Sequence, residues 1–276
     1  MPLSPLLMKA ATQGRTVVEV TPESAGWEHV GFKVIRLSDG DTESLDTGAR
    51  ELCLVVLTGT VDVTVDGQRF DQLGTRNSVF EPISPAAIYV PGGKNVVVHA
   101  RRDAEVALCT APAATGCEPR TVSMIDSAAM PRSVRGVGSN SRHVCDILPH
   151  TDSRAAHLLV VEVLTPAGNS SSYPPHKHER DALPDETRLE ETYYHRLNPS
   201  QGFAFQRVYT DDRSLDEAMA VENHDVVMVP RGYHPVVAPH GYDLYYLNVM
   251  AGPTRYWAFR NDPAHEWMLR QPSPTT

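Results

Sequence analysis

Hydrophobic residues fall along this chain in short runs rich in Val, Ile, Tyr and Phe, each closed by a Gly, Pro, Asn or Asp turn. TVVEV, HVGFKVIRL, LCLVVL, TVDVTV, AIYVPG, VVVHA and EVALC fill the first half, and HLLVVEVL, ETYYHRL, GFAFQRVY, DVVMVP and DLYYLNVM the second. Runs of this length and composition predict strands, with TGT, VDGQ and LSDGD as turns between them. One segment, SLDEAMAV from Ser214, reads as a short helix, and 22 prolines leave little room for longer ones. The pattern predicts an all-β protein, a sandwich or barrel of many short strands.

The same pattern repeats. Glu51 opens ELCLVVL, a Gly-bounded strand follows, and IYVPGGKN comes later; Glu191 opens ETYYHRL, GFAFQRVYT follows, and VMVPRGYH comes later. Leu57 lies six residues beyond Glu51, as Leu197 lies six beyond Glu191, and the Pro-Gly elements then align at Pro91 and Pro230. Two tandem copies of one β-unit predict two barrels, residues 1–120 and 121–276, divided in the loop-rich stretch from Ala111 to Arg135.

The copies differ in their chemistry. His234 stands four residues beyond Pro230, whereas Asn95 stands four beyond Pro91; His176 and His178 precede Glu191, whereas GDTESLDTGAR before Glu51 has no histidine. Alternation along a strand turns His176 and His178 to one face and Lys177 to the other. Three imidazoles and a carboxylate, His176, His178, Glu191 and His234, then suit one divalent ion, zinc or manganese first, with iron, nickel and cobalt as further options. Glu190 adjoins Glu191 and must face the other way; alignment with Glu51 selects Glu191. The first barrel is expected to hold no metal.

Composition narrows the partners. The 276 residues carry 25 Lys and Arg against 34 Asp and Glu, a formal net charge of −9 without a basic block, which argues against nucleic acid and for a small molecule. MPLSPLLMKAATQGRT has no apolar run of secretory length and no stretch suits a membrane span, so a cytoplasmic protein is expected. Cys53, Cys109, Cys117 and Cys145 form no C-x-x-C pair, and Cys53 and Cys109 sit in apolar runs as packing residues.

The H-x-H…E…H pattern on a double barrel resembles the cupin superfamily. More narrowly, YPPHKH, EETYYHRLNPSQGFAFQRVYTDDRSLDEAM and VMVPRGYHPVVAPHGYDLYYLNVMAGP resemble the 5-deoxy-glucuronate isomerases of myo-inositol catabolism, relatives of the 4-deoxy-5-ketouronate isomerases of pectin breakdown. VVLTGTVDV and VFEPISPAAIYVPGG extend the likeness into the first half. The resemblance implies two jelly-roll barrels in tandem. It also implies an aldose–ketose isomerisation that converts 5-deoxy-D-glucuronate to 5-dehydro-2-deoxy-D-gluconate with one divalent metal ion. A ferrous cupin dioxygenase and a non-catalytic sugar-binding cupin are the alternatives.

For proton transfer the sequence leaves Glu190, His195, Lys177 and Tyr246 open, as well as a hydride shift that needs no base. His195 shares strand parity with Glu191 and Tyr193 and also reads as a hydrogen-bonded core histidine. For the substrate carboxylate, a guanidinium gives a two-pronged contact: Arg207, in a row with Phe203, Phe205 and Tyr209, or Arg231, beside His234. Tyr193 and Tyr246 are further candidate substrate contacts. The acidic insert ERDALPDETRLE is expected near the rim of the pocket. A homo-oligomer is left open.

Overall fold

The computed structural model describes residues 3–116 and 120–270; Cys117 lies outside them. Among the described residues there is a single four-residue α-helix, Pro22–Ala25, and strands dominate, as the hydrophobic pattern predicts.

The first half is one antiparallel sheet folded over on itself. Its two long strands, Arg50–Val65 and Asn95–Pro112, pair along their length but shift register between Val56 and Val61. Such bulges bend both strands. One end of Asn95–Pro112 therefore pairs with Thr42–Asp46 and the other with Gly31–Leu37. The interior closes over Leu54, Val56, Val61, Val63, Val96 and Val98, all fully buried aliphatic positions. Burial of each contributes about 1.5–3 kcal/mol.

The second half faces two sheets. A seven-stranded sheet runs Leu7–Met8, Val226–Val229, Glu190–Asn198, Asp243–Ala251, Leu159–Thr165, Arg142–Leu148, Arg132–Arg135. A four-stranded sheet runs Ser170–Ser171, Val236–Val237, Phe203–Tyr209, Asp216–Glu222. Along Glu190–Asn198, Tyr193 and Leu197 enter the core of this half while Tyr194 enters a third cluster shared with Cys53, Val55 and Cys109 of the first half. Both faces of that strand are covered, so burial runs unbroken from Glu191 to His195 rather than alternating.

The halves trade strands across the divide expected at residue 120. Leu7–Met8 pairs with Val226–Val229 of the second sheet, and Ser123–Ile125 pairs with Ala86–Val90 of the first. Two buried cross-links accompany the exchange. Arg76 holds Glu162 through two nitrogens at 3.1 and 3.0 Å, and the Tyr194 hydroxyl donates to Glu105 at 2.6 Å.

Two expectations need correction. SLDEAMAV is not helical: Asp216–Glu222 is a strand of the hairpin with Phe203–Tyr209, with Met219 and Val221 buried and Ala218 and Ala220 exposed. Pairing with a neighbouring strand overrides a helix preference that such a short segment could not stabilise alone. The alignment of Glu51 with Glu191 is also one residue out. Leu52 pairs with Val90, the residue before Pro91, as Glu191 pairs with Val229, the residue before Pro230. The counterpart of Glu51 is Glu190, and the two play the same part. Glu51 accepts from the backbone N–H groups of Ala156, His157 and Leu158 at 2.7–2.8 Å. Glu190 accepts from those of Glu28, His29 and Val30 at 2.8–2.9 Å. Each carboxylate ties its own half to the backbone of the other.

Candidate metal centre

His176 and Lys177 form a two-residue strand against Arg260–Asn261. Alternation sends His176 and His178 inward. Lys177 points the opposite way, where it donates to Glu179 at 2.6 Å and to Asp211, with its ammonium 5.1 Å from the Tyr233 ring. Glu191 enters from the Glu190–Asn198 strand. His234 comes from the turn after Pro230, which passes so close to Tyr209 that a Cβ on Gly232 would lie 2.5 Å from the Tyr209 carbonyl oxygen; with φ at +88°, only glycine suits the position.

Backbone carbonyls orient the rings. Nδ1 of His178 donates to the Leu189 carbonyl at 3.1 Å, and Nδ1 of His234 to that of Gly232 at 2.9 Å. A carbonyl can only accept, so each Nδ1 carries hydrogen, and in the neutral ring Nε2 keeps its lone pair for the site. Both Nε2 atoms converge on one oxygen: Glu191 Oε2 lies 3.0 Å from that of His178 and 3.2 Å from that of His234. His178, Glu191 and His234 are all buried, and their ligating atoms lie within 4.8 Å of one another. His176 is outside this tight trio but adjacent, its ring centroid 4.9 Å from that of His234.

The electrostatics favour a cation between these groups. Burial pushes His234 down to about 3 and His176 likewise, the latter helped by neighbouring His178, so both imidazoles stay neutral. Glu191 is held below the usual carboxylate range: His234, His178 and the Asn248 amide outweigh its burial. Burial also opposes charge on His178, but its contact with Glu191 wins and raises it. The buried Nε2 of His234 has no hydrogen-bond partner although a carboxylate oxygen lies beside it. A lone pair facing an anion is repulsive unless a proton or metal ion sits between them. A neutral His234 and an ionised Glu191 are the states metal ligation requires, and with His178 against the same carboxylate oxygen the trio is a possible metal-binding group.

A cavity of about 300 Å³ opens beside it. Its wall includes His176, Glu191, Tyr193, Tyr246 and Asn248, with Val144, Val161, Val163 and Met250 among its apolar residues. Asn248 donates from Nδ2 to Glu191 Oε1 and so fixes the carboxylate. Two tyrosine hydroxyls reach the cavity paired with serines, Tyr246 with Ser171 at 2.5 Å and Tyr193 with Ser172 at 2.9 Å.

The KduI/IolB family profile matches residues 6–268. The chain belongs to the KduI/IolB family. It is 53% identical over 253 residues to a 5-deoxy-glucuronate isomerase of Geobacillus kaustophilus, covering 92% of this chain and 90% of that one. To the 5-deoxy-glucuronate isomerase of Bacillus subtilis it is 49% identical over 257 residues, 93% of this chain and 94% of that one. The crystal structure of an IolB-like protein from Salmonella typhimurium superposes with a TM-score of 0.92 at 47% identity, covering 96% and 99% of the two chains. An oxalate decarboxylase of Bacillus subtilis, at 14% identity and a TM-score of 0.63 over 95% of this chain and 80% of that one, shares the cupin fold.

Within this family member, several sequence-derived candidates stand away from the cavity. Glu190 is committed to the Glu28–Val30 amides, and Lys177 to its two carboxylates. His195 is fully buried behind the cavity wall, Nδ1 donating to the Tyr193 carbonyl at 2.9 Å, with burial holding it neutral at about 4. Arg207 does not face the barrel interior. Ala204, Gln206 and Val208 do, and Arg207 lies outside, paired with Asp216 through two bonds of 2.7 Å. Arg231 is exposed near Ser214, outside the cavity. The acidic insert folds as a hairpin, Glu179–Ala182 with Glu186–Arg188, and gives no residue to the cavity wall. The cavity has two cations that the sequence reading overlooked, Arg135 and Arg142. Both belong to strands in RSVRGVGSNSRHVCDIL, and the alternation of Arg142 with Val144 was the available signal.

Proposed function

We propose that this chain is a metal-dependent aldose–ketose isomerase that converts 5-deoxy-D-glucuronate to 5-dehydro-2-deoxy-D-gluconate in myo-inositol catabolism, in the cytoplasm. The convergence of His178, Glu191 and His234 on one point beside the cavity carries this reading, and the names of relatives about half identical along nearly the whole chain give the reaction. Residues 121–276 supply the reacting barrel and residues 1–120 a metal-free barrel that braces it.

His178, Glu191 and His234 would hold the ion, with His176 as the fourth ligand; zinc or manganese suits this imidazole and carboxylate set. Such an ion supplies a Lewis acid that polarises the sugar carbonyl and stabilises the negative charge that builds on oxygen as the neighbouring C–H proton leaves. The remaining work falls to the protein. Asn248 keeps Glu191 in place, and the Leu189 and Gly232 carbonyls keep two imidazoles in the ligating tautomer. Of the four candidates for proton transfer, Tyr246 is the one on the cavity wall. Burial raises its pKa, so the phenol holds its proton at Oη, beside Ser171 Oγ, and would serve as a proton donor to the substrate rather than as the base for the C–H proton. Val161, Val163 and Met250 keep water from the sugar.

The test is purification, elemental analysis and an NMR time course with 5-deoxy-D-glucuronate under anaerobic conditions. One metal equivalent and conversion to the keto acid without oxygen are expected. A fully metallated protein that leaves the substrate unchanged would overturn the reading, and turnover that required oxygen would point to a dioxygenase instead.

A further inference from the structure

We propose that Arg142 is the binding site for the carboxylate of a sugar acid whose carbonyl end lies toward Glu191. The inference rests on the isomerase reading for its substrate, but its geometry stands apart from the metal site. Arg142 opens the strand Arg142–Leu148, and Arg142 and Val144 turn into the cavity together with Val161, Val163, Tyr246 and Asn248 of the adjoining strands. Glu191 lies three strands away in the same sheet and six residues out of register, because Arg142 falls in line with Thr165, Leu244 and Leu197. The two charged groups therefore stand on separated parts of one cavity wall, and neither neutralises the other.

The guanidinium is anchored on one side only. Its Nη1 donates to the Asn140 carbonyl at 3.2 Å, to Asn140 Oδ1 at 3.3 Å and to the Tyr173 carbonyl at 3.3 Å. Asn140 Nδ2 in turn donates to the Tyr173 carbonyl at 3.2 Å, so the anchor is itself held. The turn that carries it requires glycine: a Cβ on Gly136, where φ is +81°, would lie 2.1 Å from the Asn140 carbonyl oxygen and 2.9 Å from Arg142 Nη1. Nε and Nη2 have no partner among the described residues. They form the edge of the guanidinium that grips a carboxylate through two parallel bonds.

No carboxylate among the described residues pairs with Arg142, and burial, with no anion to offset it, pulls its pKa down. Arg135, the other cavity cation, is already balanced by both oxygens of Asp146 at 3.3 Å and lies over the Trp257 ring at 5.4 Å. A half-buried, anchored and unpaired guanidinium in a ligand-sized cavity costs stability in the free protein. A bound anion relieves that cost.

Arg142→Met and Arg142→Lys, in the full-length metallated protein, test this against two substrates: 5-deoxy-D-glucuronate, and 5-deoxy-D-glucose, which has a hydroxymethyl group where the acid has its carboxylate. Arg142→Met is expected to lower kcat/KM for the acid about a hundredfold, mainly through KM, with metal content unchanged and a much smaller loss on the neutral sugar. Arg142→Lys, which keeps the charge but not the fork, should fall between. An equal loss on both substrates would make Arg142 a structural brace and overturn the inference, as would no loss on the acid. Calorimetry with the acid reduced at C1, which binds but cannot isomerise, separates this inference from the proposed reaction. Binding that weakens at least tenfold in Arg142→Met supports the carboxylate site even if the isomerase assay fails. Wild-type protein that does not bind the reduced acid refutes it.

Discussion

At the scale of single residues, the site depends on protonation states that the fold imposes. His234 and His176 are kept neutral by burial, and Glu191 is kept ionised by His234, His178 and Asn248. Glu191→Gln preserves size and shape but removes the charge on which two Nε2 atoms converge. The variant should lose metal, with affinity lower by at least about a hundredfold, since changing even an outer partner of a ligand commonly costs ten- to a hundredfold. Its far-UV circular dichroism should match the wild type. Elemental analysis after dialysis gives the answer, and full metal occupancy would remove Glu191 from the ligand set. The H-x-H pair and His234 were legible in the sequence because alternation and a Pro-Gly turn place them without knowledge of the fold. Arg142 was not, because only the strand order, with Leu159–Thr165 between them, brings RHVCDIL to the same cavity as YYLNV.

Elements show where local preference gives way to pairing. The strands around Glu191 were legible because β-branched and aromatic runs bounded by turns have few alternatives. SLDEAMAV was misread because its acidic and Ala/Met content suits a helix, whereas its fate is set by Phe203–Tyr209, whose hairpin it completes. The strand assignment makes opposite forecasts for adjacent positions. Val221 is fully buried, and Val221→Asp should destabilise by about 4 kcal/mol or more by leaving a charge in the core. Ala220 faces solvent, and Ala220→Asp should stay within about 0.5 kcal/mol of wild type. Urea midpoints of the two variants decide the matter: comparable losses would contradict strand alternation here. Arg207 follows the same alternation, which puts it on the solvent face with Phe203 and Phe205.

For the whole molecule, the repeat that was legible as two barrels conceals how closely they are joined. The six-residue interval from glutamate to leucine matched Glu51 with Glu191, but spacing along one strand does not reveal which face that strand turns to its partner. Pairing across the sheet does, and it matches Glu51 with Glu190 and leaves Leu52 where the second barrel has Glu191. Besides the missing histidines, the first barrel thus has a leucine where the second has the glutamate of its candidate ligand set, and a reciprocal carboxylate brace lies one residue before it in both. Glu51→Ala removes the acceptor for three backbone N–H groups; at about 1–3 kcal/mol for each buried donor left unsatisfied, a loss of about 3–5 kcal/mol is expected once relaxation and water are allowed for. Glu190→Ala should cost less, because that carboxylate is partly exposed. Both braces act across one interface, so once the first is lost the second has less to hold, and the double variant should lose less than the sum of the singles. Metal content supplies the control. Glu190 is next to a proposed ligand but faces the other barrel, so Glu190→Ala should keep its full metal equivalent while its urea midpoint falls; loss of metal with unchanged stability would mean that Glu190, not Glu191, faces the site.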